Sequence, residues 1–264
     1  MSYWFLFSNG KLLLPRKGGC YSILTHDTLP YTVNGMVHEV GKYENAICKA
    51  AEIADSSTVY TVSTDNTEDG LIWVGLRESY DLINVELHRL AGRGSELIFW
   101  DKNTRYCPVC GTPTKVNTVI SKKCPNCGNE IFPQLSPAIL VMIHKGEQIL
   151  LVHARTFTRP FHGLVAGFVE PGETLEQCVA REVREETTLK INNIRYFGSQ
   201  PWPYPSNLMI GFTADYVSGD IQFADNELTD GEFYSRDNLP MIPQKLSLAR
   251  KMIDSWLESF EEVK

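Results

Sequence analysis

The sequence predicts an α+β protein with its parts in series: a small β-rich N-terminal domain over 1–102, a four-cysteine ribbon over 103–134 and an α/β/α sandwich over 135–264. Three observations carry that expectation. Short apolar stretches punctuated by Gly, Asn and Asp fill the N-terminal part, a pattern of strands and turns. Two Cys-x-x-Cys pairs follow, with thirteen residues between Cys110 and Cys124. After Pro137, apolar strands alternate with stretches of helical period, the pattern of helices packed on a sheet.

With 264 residues the chain suggests about two domains and is long enough to bury a full core. It is 43% hydrophobic and 22% charged, the composition of an ordinary globular protein. A formal net charge of −7 argues against tight sequence-independent binding to DNA, which needs a basic footprint. The start of the chain has no basic leader or small-residue cleavage site, and nowhere do 18 apolar residues run together. Neither a signal peptide nor a membrane span is therefore expected. Seven cysteines, four of them in two close pairs, fit a reducing cytoplasmic setting.

Taken in order, Tyr3 to Phe7, Lys11 to Leu14, Val59 to Val62 and Leu71 to Val74 read as strands without chemistry. Cys20 and Cys48 stand alone and read as buried or inert thiols. Leu87 to Phe99 reads as helical around a glycine interruption. Cys107-Pro-Val-Cys110-Gly and Cys124-Pro-Asn-Cys127-Gly form two knuckles whose thiolates point inward at a spacing suited to tetrahedral Zn²⁺. A redox pair would instead come singly beside a βαβ pattern. Four cysteines leave no open position, so the expected role is structural, worth on the order of 10 kcal/mol of folding. Two prolines extend the linker from Ile131 to Pro137. Beyond it, Ala138 to Ile143 and Gln148 to Val152 form an expected hairpin and Leu164 to Val169 a third strand. Leu208 to Val217 is a further strand, Glu232 to Tyr234 an edge, and Leu246 to Phe260 a C-terminal amphipathic helix. His153 and His162 are open to a structural or a catalytic reading, the structural one preferred.

The chemistry concentrates in Gly167 to Leu189. Thr174, followed three residues later by Gln177, is a capping-box signal, so a helix begins there, with Val179 and Val183 on its apolar side. Glu182, Glu185 and Glu186 then share one helical face. Such a cluster is either a solvated acidic face or a set of hard oxygen ligands for Mg²⁺ or Mn²⁺. Arg181 suits the orienting of a neighbouring carboxylate or contact with a phosphate.

The stretch resembles the Nudix box, matching at Gly167, Glu173, Arg181, Glu182, Val183, Glu185, Glu186 and Leu189. It departs at Thr188, where the family has Gly, a helix exit suited to positive φ. The resemblance implies the Nudix α/β/α fold and metal-dependent hydrolysis. In that reading Glu182, Glu185 and Glu186 bind Mg²⁺ or Mn²⁺, and Glu173 is a further ligand through water. Glu182 is also the candidate base on the attacking water, with Arg181 orienting its carboxylate.

Downstream lies Ser199-Gln200-Pro201-Trp202-Pro203-Tyr204-Pro205-Ser206-Asn207. Its three alternating prolines predict an extended, rigid loop holding Trp202 and Tyr204. It is either a surface loop with a core tryptophan or a stacking platform for a nucleobase, with the Gln200 amide beside it. The segment resembles the S-Q-P-W-P-F-P-x-S motif of the NADH pyrophosphatase branch, departing at Tyr204 and Asn207; the ribbon and N-terminal domain are similar to that branch as well. This resemblance implies cleavage of NAD(H) to NMN(H) and AMP, and family members also remove NAD caps from RNA 5′ ends. It places Phe168 on a base and Gln200, Trp202 and Asn207 around the dinucleotide. It adds Glu227 as a site carboxylate, Ala249 as a backbone contact and Phe132 from the partner subunit of a homodimer. Two alternatives stand beside it: a Nudix hydrolase of ADP-ribose or diadenosine polyphosphates, and a non-catalytic nucleotide-sensing regulator. The intact box carboxylates and the acidic balance weigh against the second.

Overall fold

The computed structural model describes residues 1–29, 31–53, 69–223 and 227–260. The expected strand Val59 to Val62 lies outside these residues, as do Asp225 and Asn226. The chain divides into two units, Met1–Gln134 with Pro203–Ser206 and Leu135–Trp202 with Asn207–Lys264.

In the first unit, strands β1 (Ser2–Ser8), β2 (Lys11–Lys17), β3 (Cys20–Tyr21), β4 (Leu24–His26), β5 (His38–Tyr43), β6 (Ala46–Glu52) and β7 (Gly70–Gly75) build one sheet. Helix α1 (Val85–Asn103) follows, with the Asn84 side chain accepting from the Glu86 amide. Period-two alternation sorts the side chains. Phe5, Phe7, Leu12 and Leu14 pack with Leu90, Ala91 and Ile98 of α1. Trp4, Leu6 and Leu13 point the other way, where Leu29, Tyr31, Val33, Leu71 and Trp73 cover them.

Helix α1 runs unbroken through Gly92 and Gly94, where an interruption is expected from sequence. The glycines serve close approach instead. A Cβ on Gly94 would sit 2.5 Å from Ala50 Cβ, and one on Gly92 3.0 Å from Pro203 Cγ. Cys48 is buried, whereas Cys20 is exposed.

The ribbon consists of β8 (Lys115–Thr118), β9 (Ser121–Lys123) and β10 (Glu130–Ile131). Its anchor is Lys122, 4% exposed, whose ammonium lies 2.5 Å from Asp101 Oδ1 and donates to the Asp101 carbonyl at 2.8 Å.

The second unit contains β11 (Ser136–Lys145), β12 (Gln148–Ala154), β13 (Val165–Phe168), α2 (Leu175–Thr187), β14 (Lys190–Trp202), β15 (Asn207–Ser218), β16 (Leu228–Tyr234) and α3 (Leu248–Glu258). The sheet runs β14-β15-β11-β12-β16, with β13 beside β11 and β11 parallel to β15. Ile139, Val141 and Ile143 pack with Cys178, Val179 and Val183 of α2. Leu140 and Met142 pack with Leu248, Met252 and Ile253 of α3. This is the expected α/β/α sandwich, with β16 at one edge.

Two features differ from the sequence expectation. Strand β14 was not anticipated, and Ser199–Trp202 is its end rather than a loop, with Gln200 opposite Met209 and Trp202 opposite Asn207. Pro201 is tolerated because β14 is an edge strand. The connecting residues Pro203–Ser206 belong with the first unit, where Tyr204 packs against the core formed with α1. Tyr204 is therefore a core side chain, not half of an exposed aromatic platform.

The strand order also repeats. In each unit a hairpin (β1-β2, β11-β12) is flanked by a short antiparallel strand on its first member (β4, β13). A parallel strand pairs with that same member (β6, β15), its own antiparallel neighbour precedes it (β5, β14), and the last strand pairs with the second member (β7, β16). Each unit then closes with a helix, α1 or α3. Of the second unit's strands and α-helices, α2 alone lacks a counterpart among the described residues of the first: residues 27–37 connect β4 to β5 with no helix among the described ones. Where α2 covers the second sheet, Trp4, Tyr31 and Trp73 cover the first.

Helix α2 ends at Thr188, at φ 61°. A β-branched residue there is strained by about 1–2 kcal/mol, offset in part by its hydroxyl donating to the Asp220 carbonyl at 2.7 Å. Thr188→Gly is expected to raise stability by about 0.5–1 kcal/mol, read as a higher denaturation midpoint. A lower midpoint would show that the Asp220 bond outweighs the strain.

Candidate active site

The site grows from the start of α2. The Thr174 side chain accepts from the Gln177 amide at 3.2 Å and the Gln177 side chain accepts from the Thr174 amide at 2.8 Å, completing the capping box. This fixes the helix phase and so the face that carries Arg181, Glu182 and Glu185.

Arg181 is the hub. Its Nη2 and Nε donate to the two oxygens of Glu173 at 2.6 and 3.0 Å, a bidentate clamp. Its Nη1 donates to Glu182 Oε1 at 2.8 Å and Glu185 Oε2 at 3.1 Å, and Nη2 also reaches the Phe168 carbonyl at 3.0 Å. Glu173, with a further hydrogen bond from the Glu170 amide, is held down to about 2 chiefly by the Arg181 bonds. The same clamp, led by Glu173, raises the pKa of Arg181, so the guanidinium is permanently charged. Glu182 goes the other way: burial raises its pKa, Arg181 opposes, and the nearby charges of Glu185 and Glu227 add to the rise. That coupling brings Glu227, far along the chain, into the field of the α2 carboxylates. Glu186 is 4% exposed on the same helix.

One guanidinium thus faces three carboxylates, Glu173, Glu182 and Glu185, which leaves two negative charges before Glu186 and Glu227 are counted. Hard oxygens with surplus negative charge fit a divalent cation. In this structure Glu182 and Glu185 share Arg181 Nη1; among the described residues, only the cysteines form a set of three or more ligand atoms within 4.8 Å of one another.

Gly167 has a role the sequence reading did not assign. It lies in β13 opposite Ile139, and a Cβ built on it would sit 1.9 Å from Glu182 Cδ. The carboxylate therefore rests on bare backbone. Gly167→Ala would push aside the end of a flexible side chain, so its stability cost is small while the carboxylate moves by an ångström or more. Activity is expected to fall about 100-fold with little change in Tm, measured by steady-state kinetics beside thermal melts.

The remaining expected residues divide. Phe168 is 57% exposed at the end of β13. Gln200 has its amide fixed, donating to the Leu246 carbonyl at 2.8 Å and accepting from Lys251 at 2.8 Å. Lys251 was missed because nothing in the sequence links α3 to Gln200. Trp202 and Asn207 are register partners at the β14-β15 end, and Ala249 is buried on α3. Phe132, 50% exposed, belongs to the first unit. His153 Nδ1 engages the Phe161 carbonyl at 2.8 Å and His162 pairs with Asp230 at 3.2 Å, both structural contacts.

In the ribbon, Sγ of Cys107 lies 3.6 Å from that of Cys127, and Sγ of Cys110 3.4 Å from that of Cys124. Tetrahedral Zn²⁺ with bonds of about 2.3 Å needs sulfur separations near 3.8 Å, so the four thiols fit the ion. Gly111 and Gly128 close the knuckles at φ 72° and 76°.

Comparison with known proteins shows what this chain is similar to. Residues 134–256 match the NUDIX domain profile. Residues 102–132 match the NADH pyrophosphatase zinc ribbon domain, and residues 1–100 the NADH pyrophosphatase-like rudimentary NUDIX domain. The NAD-capped RNA hydrolase NudC of Pseudomonas aeruginosa (strain LESB58) is 34% identical over 256 residues, 96% of this chain and 85% of that protein. That of Shigella dysenteriae is 43% identical over 182 residues, 68% of this chain and 70% of that protein. A NUDIX hydrolase structure from Nitrosomonas europaea covers 54% of this chain and 85% of its own, at 22% identity and a TM-score of 0.47. Among the described residues no helix is long and apolar enough to cross a membrane.

Proposed function

The chain belongs to the Nudix hydrolases, with the NAD-capped RNA hydrolases, and on that footing we propose that it hydrolyses the pyrophosphate of NAD(H) to NMN(H) and AMP and removes NAD caps from RNA 5′ ends. The observation that carries the reading is the Arg181 hub, with Glu173 behind it and the Glu182 carboxylate laid on Gly167. Glu182, Glu185, Glu186 and Glu227 would hold Mg²⁺ or Mn²⁺, which supplies a more acidic water and neutralises phosphoryl charge. Glu182 accepts the proton as a water oxygen attacks one phosphorus; the bond from that phosphorus to the bridging oxygen breaks, and two monophosphates leave. Glu173 keeps Arg181 in place, and Arg181 aims Glu182. Phe168 stacks on one base; Gln200, Trp202, Asn207 and the Ala249 backbone line the dinucleotide. A second copy of the chain supplies Phe132, so the working form is a homodimer.

The test is product analysis with the full-length protein, supplied with Mg²⁺ or Mn²⁺, on NADH, an NAD-capped RNA and ADP-ribose in parallel. NMNH and AMP from NADH, and monophosphate-ended RNA from the capped substrate, are expected. Preferential cleavage of ADP-ribose would overturn the assignment. Sedimentation at twice 29.8 kDa checks the dimer.

A further inference from the structure

Phe168, Ala138, Met209 and Gln200 are successive register partners across β13, β11, β15 and β14. Register partners share a face, so Phe168 and Gln200 stand at the two ends of one row, three strand spacings or roughly 14 Å apart. Met209, between them, packs with the cluster that contains Leu248 and Met252, so the row lies on the α3 side of the sheet.

Two glycines bring the helix down to that row. Gly198 and Gly211 pair beside it, and a Cβ on Gly211 would sit 2.8 Å from Met252 Sδ and 3.3 Å from Leu248 Cδ2. The start of α3 is itself fixed. The Ser247 side chain accepts from the Arg250 amide at 3.2 Å, and Arg250 donates to Asp254 at 2.7 Å and to the Pro243 carbonyl at 3.1 Å. From this end of the helix the Leu246 carbonyl and the Lys251 ammonium both reach Gln200. Asp254, the acid nearest to Lys251 in sequence, is taken by Arg250, and Lys251 donates to a neutral amide instead.

That pair of contacts admits one orientation of the amide. An ammonium only donates and a carbonyl only accepts, so a turned amide would set donor against donor and acceptor against acceptor. Gln200 uses one N–H and one lone pair on these partners; one of each remains, in a fixed place. We propose that Lys251 is a positioning residue for substrate discrimination, holding the Gln200 amide so that its remaining donor and acceptor read an amino group beside an acceptor atom. The adenine edge and the nicotinamide carboxamide both present that pair. The inference rests on the proposed placement of Gln200 at the dinucleotide.

The test compares kcat/KM of the full-length, zinc-loaded protein for NAD⁺ with that for two analogues of the same charge. Nicotinamide hypoxanthine dinucleotide replaces the adenine amino group by an acceptor, and 3-acetylpyridine adenine dinucleotide replaces the carboxamide amino group by methyl. Because charge is matched, loss of a cation cancels in the ratio. The wild type is expected to prefer NAD⁺ to one analogue, which identifies the edge that is read. Lys251→Met should lower that preference about 5- to 10-fold, and Lys251→Arg, which still donates, should restore it. Lys251 is exposed, so the core of α3 is untouched. Preference unchanged in Lys251→Met but lost in Gln200→Ala would overturn the proposal and leave the pocket reading standing. Preference unchanged in both variants, or absent from the wild type, would overturn the two together. The same ratios taken as dissociation constants on Glu182→Gln protein read the discrimination without turnover, so a failure of the catalytic reading shows itself separately.

Discussion

Glu182→Gln should lower kcat for NADH about 10²- to 10⁴-fold while KM changes little. The argument rests on what the carboxylate does that the amide cannot. Glutamine keeps the length and shape, so it still fits over Gly167, where the carboxylate now lies. Arg181 keeps its stronger partner, because Glu173 takes two of its hydrogen bonds. The helix and its cap are untouched. On the proposed mechanism, what disappears is an acceptor for the proton of the attacking water, typically worth about 10²- to 10⁴-fold, together with a negative ligand for the divalent ion. Glu185, 49% exposed, has water to replace the charge it loses; Glu182, 13% exposed, does not. Steady-state kinetics decide the matter, and a variant within about tenfold of wild type would transfer the base role to another carboxylate.

Removing zinc should unfold the ribbon, a loss on the order of 10 kcal/mol of metal-dependent folding energy. The burial pattern makes this a large effect. Within 105–131 the buried residues are Cys107, Ser121, Lys122 and Cys124, whereas Tyr106, Val109, Val116, Val119 and Ile120 are exposed. There is no apolar core to hold three short strands once the ion is gone, and small sheets without one are marginal at best. Trypsin reports the change directly. Lys122 is enclosed with its ammonium on Asp101 and 5.3 Å from the Trp100 ring centroid, so the zinc form should resist cutting there. After a strong chelator, cleavage behind Lys122 and Lys123 is expected within minutes. Equal resistance with and without metal would mean that the thiols hold the ribbon by themselves.

What was legible in the sequence was what is local. The Thr174 and Gln177 pair announced the start of α2, and the capping box is present atom for atom. The cysteine knuckles with Gly111 and Gly128 were equally plain, since a metal site with its positive-φ turns fits in a few residues. Strand β14 was not, because alternation is the signal for a strand and β14 breaks it. Its pairing with β15 shifts register between Lys190 and Ile191, Asn192 and Arg195, and Tyr196 and Gly198. Each shift moves the following side chains to another face. The glycines of α1 misled for a related reason: their use, approach to Ala50 and Pro203, lies on other parts of the chain. Gly167 belonged to the box by resemblance, but the cause of its presence is a carboxylate fifteen residues ahead, visible only once β13 and α2 are folded together.

The repeated strand order has a consequence for how defects in this protein would show themselves. Among its described residues the first unit builds its sheet and fills its core with no counterpart of α2, so the frame does not need the chemistry in order to exist. A change that silences the carboxylates can leave a chain that accumulates, resists proteolysis and looks healthy by every measure of quantity. Surveys that score variants by abundance would pass such alleles; only an assay of turnover separates the working copies from the well-folded idle ones.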